Sequence, residues 1–170
     1  MIYYFDGACG PTNPGGVVQY GWHRAKEEDL KGNEQGYGIA FSGGPEATNN
    51  IAEYTALAAL LTHILSKASR IPNAKRVLLL RGDSQLAINQ FNGKWRVRKP
   101  SLRPIAAIVH MLKDELLDMG WEIEAEWVDG KNNRLADKLS RRALNEAKMD
   151  RKPLTDRQKA VESTGGNDEP

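Results

Sequence analysis

Four acidic residues stand where structural elements begin or end, and carboxylates are the side chains suited to a hard divalent cation such as Mg²⁺. Asp6 closes the apolar run Ile2-Tyr3-Tyr4-Phe5, just before the turn-rich stretch Gly10-Pro11-Thr12-Asn13-Pro14-Gly15-Gly16. A carboxylate at the tip of a buried strand, beside a loop whose backbone can approach a ligand closely, is well placed to hold a metal. Taken alone, Asp6 reads more readily as an acid that opens a turn. Asp83 also follows a buried run, Arg76-Val77-Leu78-Leu79-Leu80-Arg81, which runs into Gly82. If these two strands lie side by side and parallel, both acids emerge at the same end of the sheet. Glu53 stands three residues past Asn50, in the first turns of a helix, and Asp137 stands in the opening turn of another. A capping-box or dipole-favoured acid and an ordinary exposed helix acid are the plainer explanations of those two.

The elements that must position these acids are legible from periodicity. The first strand has no polar side, as expected for a strand covered on both faces. Val17 to Ala25 alternates imperfectly as a second strand, a hairpin turn falls near Gly32-Asn33, and Tyr37 to Ser42 is a third. Thr48-Asn49-Asn50 offers capping residues before a helix with Tyr54, Leu57, Leu61 and Ile64 on one face, which ends before Pro72. The strand at 76–81 leads through Gly82-Asp83 into a short helix, Ser84 to Phe91. A basic segment, a helix over about 101–119, a fifth strand from Trp121 to Val128 and a final helix from Arg134 to Ala147 follow. The order βββαβααβα fits one α/β domain with a mixed sheet, over residues 1–148. Residues 149–170 are polar, and we expect a disordered tail.

Composition sets the outer bounds. The 170 residues are 40% hydrophobic and 27% charged, which is ordinary for a globular protein, and the formal net charge of +2 does not by itself demand a nucleic-acid partner. No run approaches the roughly 20 apolar residues of a membrane helix, and no signal pattern opens the chain. The single cysteine, Cys9, rules out a disulfide framework and a thiolate metal cluster. A monomer in a reducing, cytoplasmic setting is the expectation.

Asp6-Gly7-Ala8-Cys9 with Asn13-Pro14-Gly15, Thr48-Asn49-Asn50 with Glu53, Gly82-Asp83-Ser84-Gln85, and Asn133 with Ala136-Asp137 together resemble type 1 ribonuclease H. The resemblance runs from residue 1 to about 147, with the motifs in the family's order. It implies a five-stranded mixed sheet in the order 3-2-1-4-5, strand 2 antiparallel, flanked by helices. It also implies that Asp6, Glu53, Asp83 and Asp137 are catalytic and bind two Mg²⁺ ions, with Mn²⁺ a substitute or the preferred ion. The implied activity is endonucleolytic hydrolysis of the RNA strand of RNA/DNA hybrids, leaving 5′-phosphate and 3′-hydroxyl ends. Two divalent ions suit such a reaction because water must be activated and phosphate charge neutralised together. Four acids packed together should also repel one another, which predicts raised pKa values and metal-linked stability. Many family members carry a histidine before the last acid. Here His23, His63 and His110 all lie elsewhere, so the chain resembles the histidine-less, archaeal-like branch. We expect metals and water to carry the proton there, with Lys131 a weak candidate for a substitute cation.

The segment Lys94-Trp95-Arg96-Val97-Arg98-Lys99-Pro100-Ser101-Leu102-Arg103 has cations around an aromatic and no acid, a recurrent nucleic-acid surface. The plainer alternative is a solvated linker with Trp95 packed on the core. The segment is shorter than the basic protrusion of longer family members, so weaker, more salt-sensitive binding is expected. The resemblance assigns hybrid contacts to Asn13, Thr48, Asn49, Asn50 and Gln85; from the basic segment we add Lys94, Trp95, Arg96 and Lys99. Three other readings remain open: a catalytically weak or silent hybrid-binding module, a related nuclease also acting on double-stranded RNA, and a proofreading-type exonuclease. The last usually has a second acid two residues after the first, where this chain has Ala8.

Overall fold

The apolar N-terminal run forms a strand, but the strand does not stop at Asp6. In the computed structural model, which describes residues 1–25 and 34–150 without the side chains of 147, 149 and 150, β1 spans Ile2–Gly10. From Tyr3 to Gly10 it pairs antiparallel with β2 (Val17–Arg24), Asp6 opposite Gly21 and Gly10 opposite Val17. Apolar patterning ends at Phe5, whereas the ladder is made by backbone groups and continues through residues with small side chains. β3 (Gln35–Ser42) pairs antiparallel with β2, with a register shift between Val18 and Gln19. The turn expected near Gly32-Asn33 and the tail from 151 onward lie outside the described residues.

On the other side of β1, β4 (Val77–Gly82) runs parallel, Ile2 to Tyr4 pairing with Leu79 to Arg81. β5 (Glu122–Trp127) pairs parallel with β4, so the sheet order is β3-β2-β1-β4-β5, as the family resemblance implies. Parallel pairing of β1 and β4 ends at Tyr4 and Arg81. Asp6 and Asp83 each lie two residues past that last pair. The sheet opens where β1 leaves β4 and stays with β2, and both acids sit at that opening.

Helix α1 (Asn49–Lys67) is capped by Thr48, whose hydroxyl accepts from Ile51 N at 3.3 Å. Its apolar stripe, with Tyr54, Leu57, Leu60, Leu61 and Ile64 fully buried, lies on β1 and β2. Helix α2 (Gln85–Phe91) begins one residue later than its pattern, because Ser84 serves as the cap and accepts from Ala87 N at 3.3 Å. A single 3₁₀ turn, Pro100–Leu102, precedes α3 (Arg103–Asp118), which packs on α1. Helix α4 (Arg134–Asp150) covers β1, β2 and β3 on the face opposite α1, and it continues past Ala147. The domain boundary expected at 148 therefore falls inside a helix. Along β5 the inward set is Ile123 and Ala125, while Trp127 is exposed because β5 is an edge strand. Among the described residues, no helix is long and apolar enough to cross a membrane.

Candidate active site

Two glycines let the helices close on the sheet opening. A Cβ on Gly7 would lie 2.0 Å from the carbonyl carbon of Ala52 and 2.2 Å from Glu53 N. Only glycine allows the start of α1 to rest backbone-to-backbone on β1, and that contact sets Glu53 beside Asp6. A Cβ on Gly21, which pairs with Asp6, would lie 2.3 Å from Ser140 N. Its absence brings α4 against β2 and Ser140 against Asp6. Asn133, at the foot of α4, donates from Nδ2 to the Phe5 carbonyl at 2.9 Å and to Asp83 Oδ1 at 3.1 Å. The indole N–H of Trp127 donates to the Asp83 carbonyl at 3.0 Å. Asp83 is thus held by the last helix and by the end of β5.

Asp6, Glu53 and Asp83 each present a carboxylate oxygen, and these atoms lie within 4.8 Å of one another. Asp6 is 6% exposed and Glu53 9%. Burial pushes the Asp6 carboxyl up to about 7 against an opposing hydrogen bond from Ser140, and the charges of Asp83 and Asp137 add to the rise. Burial also holds Glu53 well above the usual carboxylate range, with Asp6 and Asp83 contributing and a Gly7 backbone hydrogen bond opposing. The expected rise is present at both residues, but loss of water is a larger cause than mutual repulsion. Glu53 Oε2 is buried with no hydrogen-bond partner. An orphaned, electron-rich oxygen among hard oxygen donors fits a divalent cation such as Mg²⁺ or Mn²⁺.

Asp137 stands apart from this trio. Its Oδ1 accepts from Arg141 Nε at 2.8 Å, one turn along α4, and its side chain is about half exposed. Its charge nevertheless reaches Asp6. The structure therefore gathers three of the four expected acids and sets the fourth at the rim, committed to an arginine. The histidines lie elsewhere: His23 stacks on Tyr4, and His63 Nε2 meets Glu34 Oε1 at 2.7 Å. Lys131 Nζ lies 3.5 Å from Asp129 Oδ2 in the turn before α4.

The expected substrate residues other than Gln85 fall into two neighbouring groups. Asn13 reaches the start of α1: its Oδ1 accepts from Asn49 N at 3.2 Å. Asn49 Oδ1 accepts in turn from Cys9 N at 2.9 Å, and Thr48 is the cap beside them. Asn50 instead lines a groove of about 580 Å³ with Lys94, Trp95, Arg96, Arg98 and Lys99. Trp95 is 50% exposed, which excludes its packing into the core. Gln85 is exposed at the first position of α2, two residues after Asp83.

Sequence reasoning missed Ser140 and Gln90, and it included Arg98 in the basic segment without singling it out as a contact. Gln90 is buried: its Oε1 accepts from the Tyr54 hydroxyl at 2.9 Å and its Nε2 donates to the Arg96 carbonyl at 3.0 Å, pinning the basic segment to the core. A polar residue on the apolar face of a helix is the signal that could have found it. The same signal marks Ser140, beside buried Ala136 and Leu139.

Comparison with known proteins agrees with this fold. The family described as reverse transcriptase-like matches residues 29–143, a span holding Glu53, Asp83 and Asp137. The bifunctional protein Rv2228c of Mycobacterium tuberculosis is 30% identical over 141 residues, covering 83% of this chain and 33% of that protein. The chain thus spans about a third of the length of the curated relatives it matches. RNase H1 of the halophilic archaeon Halobacterium salinarum superposes with a TM-score of 0.66 at 29% identity, covering 85% of this chain and 97% of that one. LC11-RNase H1, isolated from compost and solved with an RNA/DNA hybrid, gives a TM-score of 0.71 at 22% identity over 86% of this chain and 97% of its own, a likeness of fold. The chain belongs to the reverse transcriptase-like family, and it has the fold of type 1 ribonuclease H.

Proposed function

We propose that this protein is a metal-dependent endonuclease that hydrolyses the RNA strand of RNA/DNA hybrids to 5′-phosphate and 3′-hydroxyl products. The observation that carries this reading is the trio Asp6, Glu53 and Asp83, within 4.8 Å of one another, on a chain that also carries a basic groove bearing an exposed tryptophan. In this reading Asp6, Glu53 and Asp83 hold divalent ions, and Asp137 joins them by exchanging its bond to Arg141. When bound, two Mg²⁺ or Mn²⁺ ions would supply charge neutralisation at the phosphate and a lowered pKa for water.

The chain's own residues orient the substrate. Lys94, Arg96, Arg98 and Lys99 neutralise backbone phosphates, and Trp95 offers a face for stacking on a sugar or base. Asn13, Thr48 and Asn49 form a hydrogen-bonding cluster suited to a phosphate of the DNA strand. Asn50 and Gln85 carry amides that read minor-groove edges, where contacts vary little with sequence and RNA hydroxyls are within reach. Specificity for strand type with little specificity for base follows. With His23 and His63 engaged elsewhere and His110 inside α3, water rather than imidazole carries the proton of the leaving oxygen.

The test is cleavage of a labelled RNA strand paired with DNA, in Mg²⁺ and separately in Mn²⁺, beside RNA/RNA and single-stranded controls. Internal cuts abolished by EDTA are expected. Cuts in RNA/RNA as well would widen the substrate to double-stranded RNA. Hybrid binding without cutting in either ion would make the protein a binding module instead.

A further inference from the structure

The reaction class assigns no task to the Ser140 hydroxyl, yet it is fully buried and meets the most enclosed of the acids. Its Oγ lies 2.6 Å from Asp6 Oδ2 and 2.8 Å from the carbonyl oxygen of Asp137. A hydroxyl has one proton, so it can donate to only one of the two. The Asp137 carbonyl lies inside α4, where the N–H four residues on is its regular partner. The shorter contact has the length of a hydroxyl donating to a carboxylate. When Asp6 is ionised, the form that can hold a cation, the Ser140 hydroxyl therefore donates its proton to Asp6 Oδ2. The contact is also fixed from behind, because the close approach of α4 to Gly21 leaves the Ser140 backbone no room to shift toward β2.

We propose that Ser140 is a positioning residue for the metal site: by occupying Asp6 Oδ2 it holds that carboxylate in one orientation toward Glu53 and Asp83. The inference rests on the proposed reading of Asp6 as a metal ligand. Asp6 comes from β1 and has no covalent reason to face the other two acids. A buried hydroxyl on the opposite helix supplies that reason without adding a charge, which a lysine or arginine there would do at the expense of cation binding. The same turn of α4 carries Asp137, so one helix both contributes the rim acid and braces the central one. An ordinary helical serine, bonded only to the carbonyl three residues back, would be replaceable by alanine without consequence at the site.

The experiment measures Mn²⁺ binding to the full chain without nucleic acid, by the loss of the free-ion electron paramagnetic resonance signal. Circular dichroism confirms the fold of each variant. Ser140→Ala is expected to weaken binding by about 10- to 100-fold, the usual effect of removing a group that orients a ligand. Ser140→Cys, similar in shape but a weak donor, is expected to fall between alanine and wild type, and it decides the matter alone if the alanine variant does not fold. In the cleavage assay the metal concentration for half activity should rise while KM for the hybrid stays unchanged. Wild-type Mn²⁺ affinity in Ser140→Ala, or in Ser140→Cys where only that variant folds, would overturn the inference. Asp6→Asn distinguishes failure of the metal site from failure of its brace. If it too leaves Mn²⁺ binding intact, the metal-site reading fails, and the role of Ser140 fails with it.

Discussion

Asp6 concentrates the energetics of the site in one side chain. It is buried, bonded to a neutral hydroxyl and surrounded by acids, so ionising it in the metal-free fold is costly. Its carboxyl titrates near 7 in the fold, against an ordinary value of 3.8. Between those values the folded chain holds a proton that the unfolded chain has released, so stability falls as pH rises through this window. Glu53, also raised, acts with the same sign. In EDTA, melting curves from pH 4 to 8 should show wild type losing stability relative to Asp6→Asn, by on the order of a few kcal/mol at the top of the window. Mg²⁺ should restore wild type and not the variant. A gap that does not widen with pH would contradict burial as the cause. At this scale the acids were legible because each stands at a boundary between an apolar run and turn or capping residues. Ser140 was not, because its partner is 134 positions away and reaches it only through the packing of α4 on β2.

At the scale of elements, the site depends on where backbones touch. Gly7→Ala places a methyl within 2.0–2.3 Å of the Ala52 and Glu53 backbone, and no flexible side chain is there to yield. The start of α1 must move, which should destabilise the fold by about 3 kcal/mol or more and weaken metal binding together with it. Chemical denaturation and Mn²⁺ titration of the same sample check both. A stable variant with normal metal affinity would show that α1 is not held by this contact. The strand and helix order was legible, since apolar periods of two and of three to four residues survive in isolation. The extent of β1 was not. Residues 6–10 carry no apolar signal, and their ladder with β2 is a property of the partner strand as much as of their own sequence. The separation of Asp137 from the trio was equally hidden, because only the fold shows that its carboxylate is paired with Arg141 while the other three acids converge.

Over the whole molecule, a net charge of +2 hides a basic groove on one side of a chain that is otherwise balanced. Lys94→Ala with Lys99→Ala should lower hybrid affinity across all sequences and reduce the slope of log affinity against log salt by about two, one for each phosphate left without its lysine. Trp95→Ala should cost about 1–3 kcal/mol of hybrid binding with little change in that slope, since stacking releases no counterions. Filter binding across salt concentrations separates the two effects. The basic segment was legible from composition, whereas its anchoring by buried Gln90 required the fold. The proposed catalytic role of the acid trio is tested most directly by single-turnover cleavage of the RNA/DNA hybrid. Wild type would be compared with Asp6→Asn, Glu53→Gln and Asp83→Asn, with hybrid affinity measured on the same proteins. Each variant should lose at least about 100-fold in rate, as expected when a metal-holding group is removed, and retain hybrid binding. Cleavage at wild-type rate in any of the three would contradict the assignment of this trio as the catalytic centre.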